Sequence, residues 1–497
     1  MRRVLPYLVL VAVATPASAQ TVDEMGASRI ADDLSRYIGR TAFDKGMVDV
    51  SVDGDAYRLT VDFDAIAAML PQTGALSLDL QPFALRLRPR ADGTFAVSGA
   101  LAPDGSMAFQ TPATEQTPSL RSHLEWTLED SRLTGIFDPQ LAMFTSSVGV
   151  FRGMKMLSRD DNQQAEIAFG NGTFDMTAVK SAEGGVDFDT TQTMVDFVET
   201  VTLPVLPGGP SAPIAIAAPK ITAVSSATGF QSRPILDIVA FAVARADQDR
   251  IAAADQAELK RLILAALPLW GTLTGGYEVA DLTVETPVGG FSFDRFEFAV
   301  GVDGISRDGS LDYDFDIRGI AVPPGLVPEW STPLLPTDVS LNFGVRDLNS
   351  EGPVRLFVEA FDLDREPPVP DAVGQDILAD FLASRPTFVM ERSVIRNAET
   401  EITMSGEMPF PLGNPELRAT VEVEGFEEAA AALQAAAAAD AEAEQVFPFV
   451  LAARGLSKVL PDGRLQWIVE LRSDGALLVN GAMLKGPDPV EVPLPEQ

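Results

Sequence analysis

The chain has 497 residues, 71 acidic against 37 basic, for a formal net charge of −34, with one histidine and no cysteine. A field of that sign repels nucleic acid and anionic membrane surfaces. Disulfides are excluded, and with His123 as the lone histidine so are a Cys/His zinc site and a triad that needs several histidines.

Residues 1–19 read as a secretory signal. Arg2 and Arg3 start it, a short apolar core runs from Val4 to Ala14, and Ala17-Ser18-Ala19 suits a cleavage site before Gln20. The apolar core is shorter than the ~20 residues a membrane span needs. No later segment reads as a transmembrane helix. The expected location is the periplasm, and removal of the two arginines takes the charge from −34 to −36.

Thr21-Val22-Asp23-Glu24 reads as a capping box with Thr21 at the N-cap, opening a helix that ends near Gly39. Short alternating strands follow. Val48-Val50-Val52 and Tyr57-Leu59-Val61-Phe63 flank Asp53-Gly54-Asp55, a hairpin signal. Leu76 to Leu80, Phe83 to Leu87, Phe95 to Val97 and Leu124 to Leu128 continue the alternation. Ile167-Phe169, Phe174-Met176 and Val186-Phe188 read as strands separated by turns at Asn171-Gly172 and Gly184-Gly185.

The composition shifts to Pro and Gly at 203–219, which predicts a linker or a sheet crossover. Two helices are predicted near 234–246 and 253–267. Phe296, Phe298, Val300 and Val302 then alternate with polar or small residues. After a turn, Leu311, Tyr313, Phe315 and Ile317 alternate with Asp312, Asp314, Asp316 and Arg318. Side chains on a strand point alternately to opposite faces, so this pair has one apolar face and one wet face. Val339 to Val345 and Val354-Leu356-Val358 read as further strands, 371–383 as a helix, and 388–408 and 417–423 as strands. An Ala-rich helix is predicted over 425–445 and a more apolar one over 446–460. A closing hairpin joins Leu465–Leu471 to Leu477–Val479 and ends in Asn480-Gly481.

Few residues suggest chemistry. Asp312, Asp314 and Asp316 form D-x-D-x-D, as a calcium loop does, but Tyr313 and Phe315 lie between them and Gly319 falls at the eighth position rather than the sixth. The solvated face of a strand explains the pattern better. Asp53 and Asp55 read as turn residues. His123 reads as an ordinary surface or hydrogen-bonded side chain. No nucleophile elbow, phosphate loop or dinucleotide fingerprint is present. No catalytic, cofactor-binding or metal-ligating residue is nominated, and no cofactor is expected. Trp126 and Trp467 lie in strand patterns, whereas Trp270 and Trp330 sit beside Pro and Gly at element ends.

The stretch Leu311 to Val345, with Pro323-Pro324, Trp330 and Pro336, and the closing Trp467 to Leu484, with Asp474-Gly475 and Asn480-Gly481, carry a resemblance. The chain resembles a family of exported alphaproteobacterial proteins classed as a domain of unknown function. Remotely it is similar to AsmA-like envelope proteins, whose long curved sheets are associated with apolar ligands. The resemblance implies an envelope role and carries no site residue with it.

These readings together predict a strand-rich α+β fold with large curved antiparallel sheets and several helices packed on or beside them. The expected blocks are 20–202, a 203–219 linker, 220–424, and a 425–497 segment of two helices and a hairpin. The expected function is a non-enzymatic periplasmic binding or envelope-maintenance protein, with a lipid-like ligand or an envelope protein as its partner. A candidate apolar groove is formed by Phe296, Phe298, Tyr313, Phe315 and Trp330. A fully packed interaction protein and a carboxylate-dependent hydrolase are the alternatives. Export with cleavage after Ala19 makes Gln20 the first residue of the mature chain. Intact-mass measurement of protein recovered from the periplasm checks this, and a chain that retains residues 1–19 contradicts it.

Overall fold

The computed structural model of the protein describes residues 22–69, 76–111, 120–160, 163–202, 213–246, 251–410 and 414–488. The signal segment, the Thr21 cap and residues 203–212 lie outside the described residues. The fold is strand-rich α+β with antiparallel strand pairing. Among the described residues no helix is long and apolar enough to cross a membrane. The chain divides into two compact units, Met1–Pro287 with Val358–Pro370 and Val288–Phe357 with Asp371–Gln497. The division thus falls at 287/288, within the expected 220–424 block, and not at 203–219. Residues 214–219 are the start of a strand.

The first unit opens with α1 (Glu24–Ile38) and α2 (Arg40–Asp44). Asp23 caps α1, its carboxylate accepting from the Gly26 N–H at 2.7 Å. The cap therefore sits two residues later than the capping box predicts. Ala27, Ile30, Leu34 and Tyr37 recur at three- and four-residue spacing and are buried. Gly26 is required by close approach, because a Cβ there would lie 1.9 Å from the Tyr57 hydroxyl.

Hairpin β1 (Val48–Asp53) and β2 (Ala56–Val61) turns at Gly54-Asp55, as expected, with Gly54 at φ 64°. The chain then forms α3 (Phe63–Met69) where alternation predicts that the strand continues through Phe63. The Asp62 carboxylate accepts from the Ala65 N–H at 3.0 Å and starts the helix. Next come β3 (Leu76–Leu80), β4 (Phe83–Pro89), β5 (Phe95–Gly99), β6 (Asp104–Thr111), β7 (Leu120–Thr127) and β8 (Asp130–Asp138). Long strands follow: β9 (Met143–Asp160), β10 (Gln164–Lys180), β11 (Val186–Thr202) and β12 (Ile214–Phe230). Helices α4 (Ser232–Val243) and α5 (Ala253–Ala266) and strand β13 (Thr272–Thr286) complete the series. Apolar side chains of α1 and α4 meet β2, β4, β5 and β8 in a core that includes Ile30, Leu34, Tyr57, Leu85, Val97 and Leu236.

Strand β9 is paired along one side by β10, from Ser146 to Arg159. Its other side is shared: β8 pairs with Met143 to Arg152 and β7 with Lys155 to Asp160. The join between β7 and β8, at Leu128-Glu129, lies opposite Gly153. From there a line of interrupted pairing crosses the sheet through Gly153, Gly170, Asp196, Pro219 and Asp281. Gly153, Asp196 and Asp281 have φ of 60°, 54° and 49°.

The apolar alternation changes phase at this line in every strand. In β9 it passes from Phe151 to Met154 and Met156, and in β10 from Ile167 and Phe169 to Phe174 and Met176. In β11 it passes from Met194 to Phe197, in β12 from Ile216 and Ala218 to Ile221, and in β13 from Val279 to Leu282 and Val284. Exposure follows the same slip. In β10 the exposed positions are 166 and then 171, 173, 175, 177 and 179, with the terminal 180. An extra residue at the same level in each strand keeps the apolar side chains on one face while bending every strand. The rings of Phe151 and Phe169 accordingly meet edge to face, 6.4 Å apart, across the line.

Asn171-Gly172, which reads as a turn, lies inside β10. Gly172 stands opposite Phe151, whose ring would be 2.0 Å from a Cβ at that position. The glycine there makes room for an aromatic neighbour rather than for a turn. Gly184-Gly185 does turn, with φ of 99° and 76°.

The second unit is built on β14 (Gly289–Asp303), β15 (Gly309–Arg318) and β16 (Asp338–Leu348), with a 3-10 helix at Glu329–Leu334. After α6 (Glu351–Ala360) and α7 (Asp371–Ala383) come β17 (Thr387–Arg396), β18 (Glu401–Pro409) and β19 (Leu417–Glu424). Helices α8 (Phe426–Ala437) and α9 (Ala441–Leu456) and strands β20 (Lys458–Val459), β21 (Leu465–Leu471), β22 (Leu477–Val479) and β23 (Ala482–Lys485) close the chain. The strands pair in the order β14-β15-β16-β17-β18-β19-β21-β22-β23.

Val354, Leu356 and Val358, which alternate as in a strand, lie in α6. The Asn349 side chain accepts from the Gly352 N–H, and Glu351 pairs with Arg355 one turn on. The Ala-rich stretch breaks at 438–440 rather than at 445, because Asp440 caps α9 through the N–H groups of Glu442 and Ala443. A bulge in β17 is filled by the fully buried Ser393, whose hydroxyl accepts from the Asn342 N–H at 3.0 Å and lies 3.2 Å from the Glu391 carbonyl.

Gly153→Val tests the line of interruption. It places a side chain at φ 60° and a Cβ 2.3 Å from Glu129. The expected loss is about 2 kcal/mol or more in urea unfolding, and a second change, Glu129→Ala, restores only part of it because the backbone cost remains. A loss within experimental error would show that the bend does not depend on this residue.

Candidate functional site

Residues paired across antiparallel strands share a face, so the registers of the second unit can be read as rows. One row runs Phe296, Ile317, Val339, Ile395, Ile402, Val423, Leu465. A second begins Phe298, Phe315, Leu341, and a third Val300, Tyr313, Phe343, Met390. Four of the five expected groove residues, Phe296, Phe298, Tyr313 and Phe315, therefore lie together on one apolar face. Their rings form a ladder. Phe298 and Phe315 are 4.8 Å apart, Tyr313 and Phe343 5.6 Å, Phe315 and Phe343 5.9 Å, and Phe343 and Phe388 6.2 Å. All of these side chains are half-buried.

Trp330, the fifth, stands in the 3-10 helix and is not in the ladder. It lines a separate cavity of about 450 Å³, whose other walls include Leu334, Ile402, Val423, Leu433 and Val450. Ser331 and Thr400 are the only polar residues among those that line it. Ile402 and Val423 belong to the Phe296 row, so the floor of the cavity continues the apolar face. The roof is the α8–α9 hairpin. Phe426 packs on Trp467 at 5.7 Å, and the Trp467 indole N–H donates to the Ala453 carbonyl at 2.8 Å, which fixes the hairpin to β21. The Trp330 indole nitrogen is shut off from solvent and has no hydrogen-bond partner among the described residues. Sequence reasoning omitted Phe426, Leu433, Ile402, Val423 and Val450 from the site. The available signal was the seven-residue spacing of Phe426 and Leu433, the two bulky residues in an Ala-rich helix, which places both on one side.

The opposite face is the wet one expected for Asp312, Asp314 and Asp316. Arg346 pairs with Asp312 and with Glu391, the latter at 2.9 Å, and Arg318 pairs with Asp316 at 2.6 Å. Asp314 has no ion pair among the described residues. Its carboxyl is pushed up from its ordinary value, first by desolvation and then by the neighbouring carboxylates of Asp312, Glu391 and Glu297. Among the described residues no group of three or more acidic or histidine side chains could hold a metal ion. His123 lies on β7 with its Nε2 2.7 Å from a Glu125 carboxylate oxygen.

Comparison of the chain with protein-family models, with curated proteins and with solved structures finds no match.

The Asp314 shift makes a signed prediction. A folded pKa above the unfolded one means that the fold holds the proton more tightly, so stability falls as pH rises from the unfolded to the folded value. Above that window the ionised carboxylate is a net cost, and below it there is none. Asp314→Asn is expected to raise the urea midpoint at pH 7, with the advantage fading as the pH drops through the acid carboxylate range. A loss of stability at pH 7 would contradict the assignment.

Proposed function

We propose that this is a non-enzymatic periplasmic binding protein that holds an apolar, lipid-like ligand in the second unit, in the cavity roofed by α8 and α9. The observation that carries the reading is the cavity's size together with its lining. About 450 Å³ is within the range of small-ligand pockets, roughly 300–1,000 Å³. Water in such a space finds few hydrogen-bond partners, whereas a hydrocarbon chain gains about 0.8 kcal/mol for each methylene it buries. The half-buried aromatic ladder extends the same apolar surface along the Phe296 row. The signal-like residues 1–19 support export, and the charge of −34 argues against a nucleic-acid or anionic-surface role.

A role as an interaction protein is favoured by one feature. Phe449 on α9 is 76% exposed and Leu451 53%, more apolar surface than a helix with no partner usually shows.

Ligand binding separates the two. Chain recovered from the periplasm is expected to carry extractable lipid detectable by mass spectrometry, and delipidated chain to bind a fluorescent fatty acid saturably. Ala430 lines the cavity, so Ala430→Phe fills it and is expected to weaken that binding about tenfold or more without unfolding the protein. Absence of both lipid and saturable binding overturns the ligand reading and leaves the interaction role.

A further inference from the structure

The core side of the first unit's sheet is apolar, and its other side carries an arrangement that neither the core nor the apolar site accounts for. Register places Arg58 directly opposite Arg86, Arg86 opposite Ser98, and Ser98 opposite Thr134, in one row across β2, β4, β5 and β8. Two residues along β8 from Thr134, on the same face, is Arg132. These side chains line a concavity of about 490 Å³ whose floor is made of the small residues Ala84, Gly99 and Ala100. Gly99 pairs with Leu85, and a Cβ there would lie 2.5 Å from the Leu85 side chain on the core side of the sheet, so the hollow has only backbone at this position.

Three guanidinium groups lining one hollow is unexpected in a chain of net charge −34. Like charges placed directly opposite on a sheet are destabilising. Surface ion pairing accounts for part of the arrangement. Asp53 lies 2.9 Å from Arg58 and 3.7 Å from Arg86, and Asp55 pairs with Arg86 and, at 3.0 Å, with Arg88. It does not account for Arg132, which has no ion pair or hydrogen bond among the described residues although acidic side chains outnumber basic ones almost twofold. A guanidinium has five N–H donors in a planar fork, so Arg58 and Arg86 keep donors beyond those that their aspartates use. Ser98 and Thr134 add hydroxyl donors in the same row.

We propose that this hollow binds a tetrahedral oxyanion, a phosphate or phosphomonoester group, with Arg132 as its principal contact and Arg86, Arg58, Ser98 and Thr134 completing the donor set. Several donors from planar guanidinium groups and hydroxyls, with no carboxylate among the described residues tied to Arg132, match the geometry and charge of such a group. The same chemistry is presented by free phosphate and by a phosphorylated lipid headgroup. The site rests on the first unit alone and stands or falls independently of the apolar cavity.

The test uses the full mature chain and two probes. One is inorganic phosphate, followed by isothermal titration at low ionic strength. The other is vesicles containing phosphatidic acid, followed by co-sedimentation against vesicles of phosphatidylcholine alone. Arg132→Gln is the diagnostic variant. Arg132 is exposed and has no partner among the described residues, so its replacement leaves the fold intact, as circular dichroism will show. Arg307→Gln, an exposed arginine in the second unit, changes the net charge equally and is the control. The expected result is saturable binding of at least one probe, weakened about tenfold or more by Arg132→Gln and unchanged by Arg307→Gln. Binding of phosphate assigns the site to a free oxyanion, and binding of phosphatidic-acid vesicles alone assigns it to a lipid headgroup. Failure of both probes to bind, or equal effects of the two substitutions, overturns the proposal.

Discussion

The structure depends on keeping the two-residue period of an antiparallel strand in step with its neighbours. Each strand has one apolar side, and a slip of one residue sends every side chain to the wrong face. In the first unit five strands make the slip together at one level, at Gly153, Gly170, Asp196, Pro219 and Asp281, in line with the β7–β8 join at Leu128-Glu129, and so the apolar face survives it. The backbone cost is concentrated at Gly153, which bears it freely, and at two aspartates, a residue type that enters the left-handed region more readily than most. The same line lets one edge of β9 serve two partners, β8 leading to the α1–α4 core and β7 leading to β6 and β3.

The second unit handles the constraint differently. Its central strands stay in phase apart from single register shifts at Gly309/Leu311 and in β17, where Ser393 satisfies the backbone groups that the bulge frees. The result is a face divided by chemistry: rows of Phe, Tyr, Ile and Val on one side, and Asp, Glu and Arg on the other. Cover of the apolar side is uneven. The α8–α9 hairpin closes over the Ile402–Val423 end, held by Trp467, and leaves a cavity beneath it. The aromatic ladder itself stays half-buried. A filled core and a ligand site both need the same alternation of side chains, and what differs between them is the volume that the covering helices leave unfilled. Small alanines on α8 leave that volume open.

The polar surfaces are not uniform either. Most arginines of the chain are tied to carboxylates, as expected where acid predominates. In the hollow lined by Arg58, Arg86 and Arg132, the first two follow that pattern and Arg132 departs from it among the described residues. It lies on the side of a sheet whose other side is core, so its chemistry comes from side chains that the fold itself does not need.

The amino-acid order alone specifies the strand-rich class, the wet face of Asp312, Asp314 and Asp316, the shared apolar face of Phe296, Phe298, Tyr313 and Phe315, and the turns at Gly54, Gly184-Gly185 and Gly475. It can do so because alternation and positive-φ glycine are local properties. It misread Asn171-Gly172 as a turn and 354–358 as a strand, and it left 203–219 open between a linker and a sheet crossover. In each case the deciding partner is remote in the chain or is a cap whose effect competes with alternation. Phe151 explains Gly172, and Asn349 starts α6. The strand from Ile214 is held by its partners β11 and β13. Packing in three dimensions places Trp330 with Phe426 and Leu433 rather than with the ladder, and puts Arg132, unpaired among the described residues, in one hollow with Arg86. Both are facts of register and packing between strands and helices far apart in the chain, and no spacing along it encodes them.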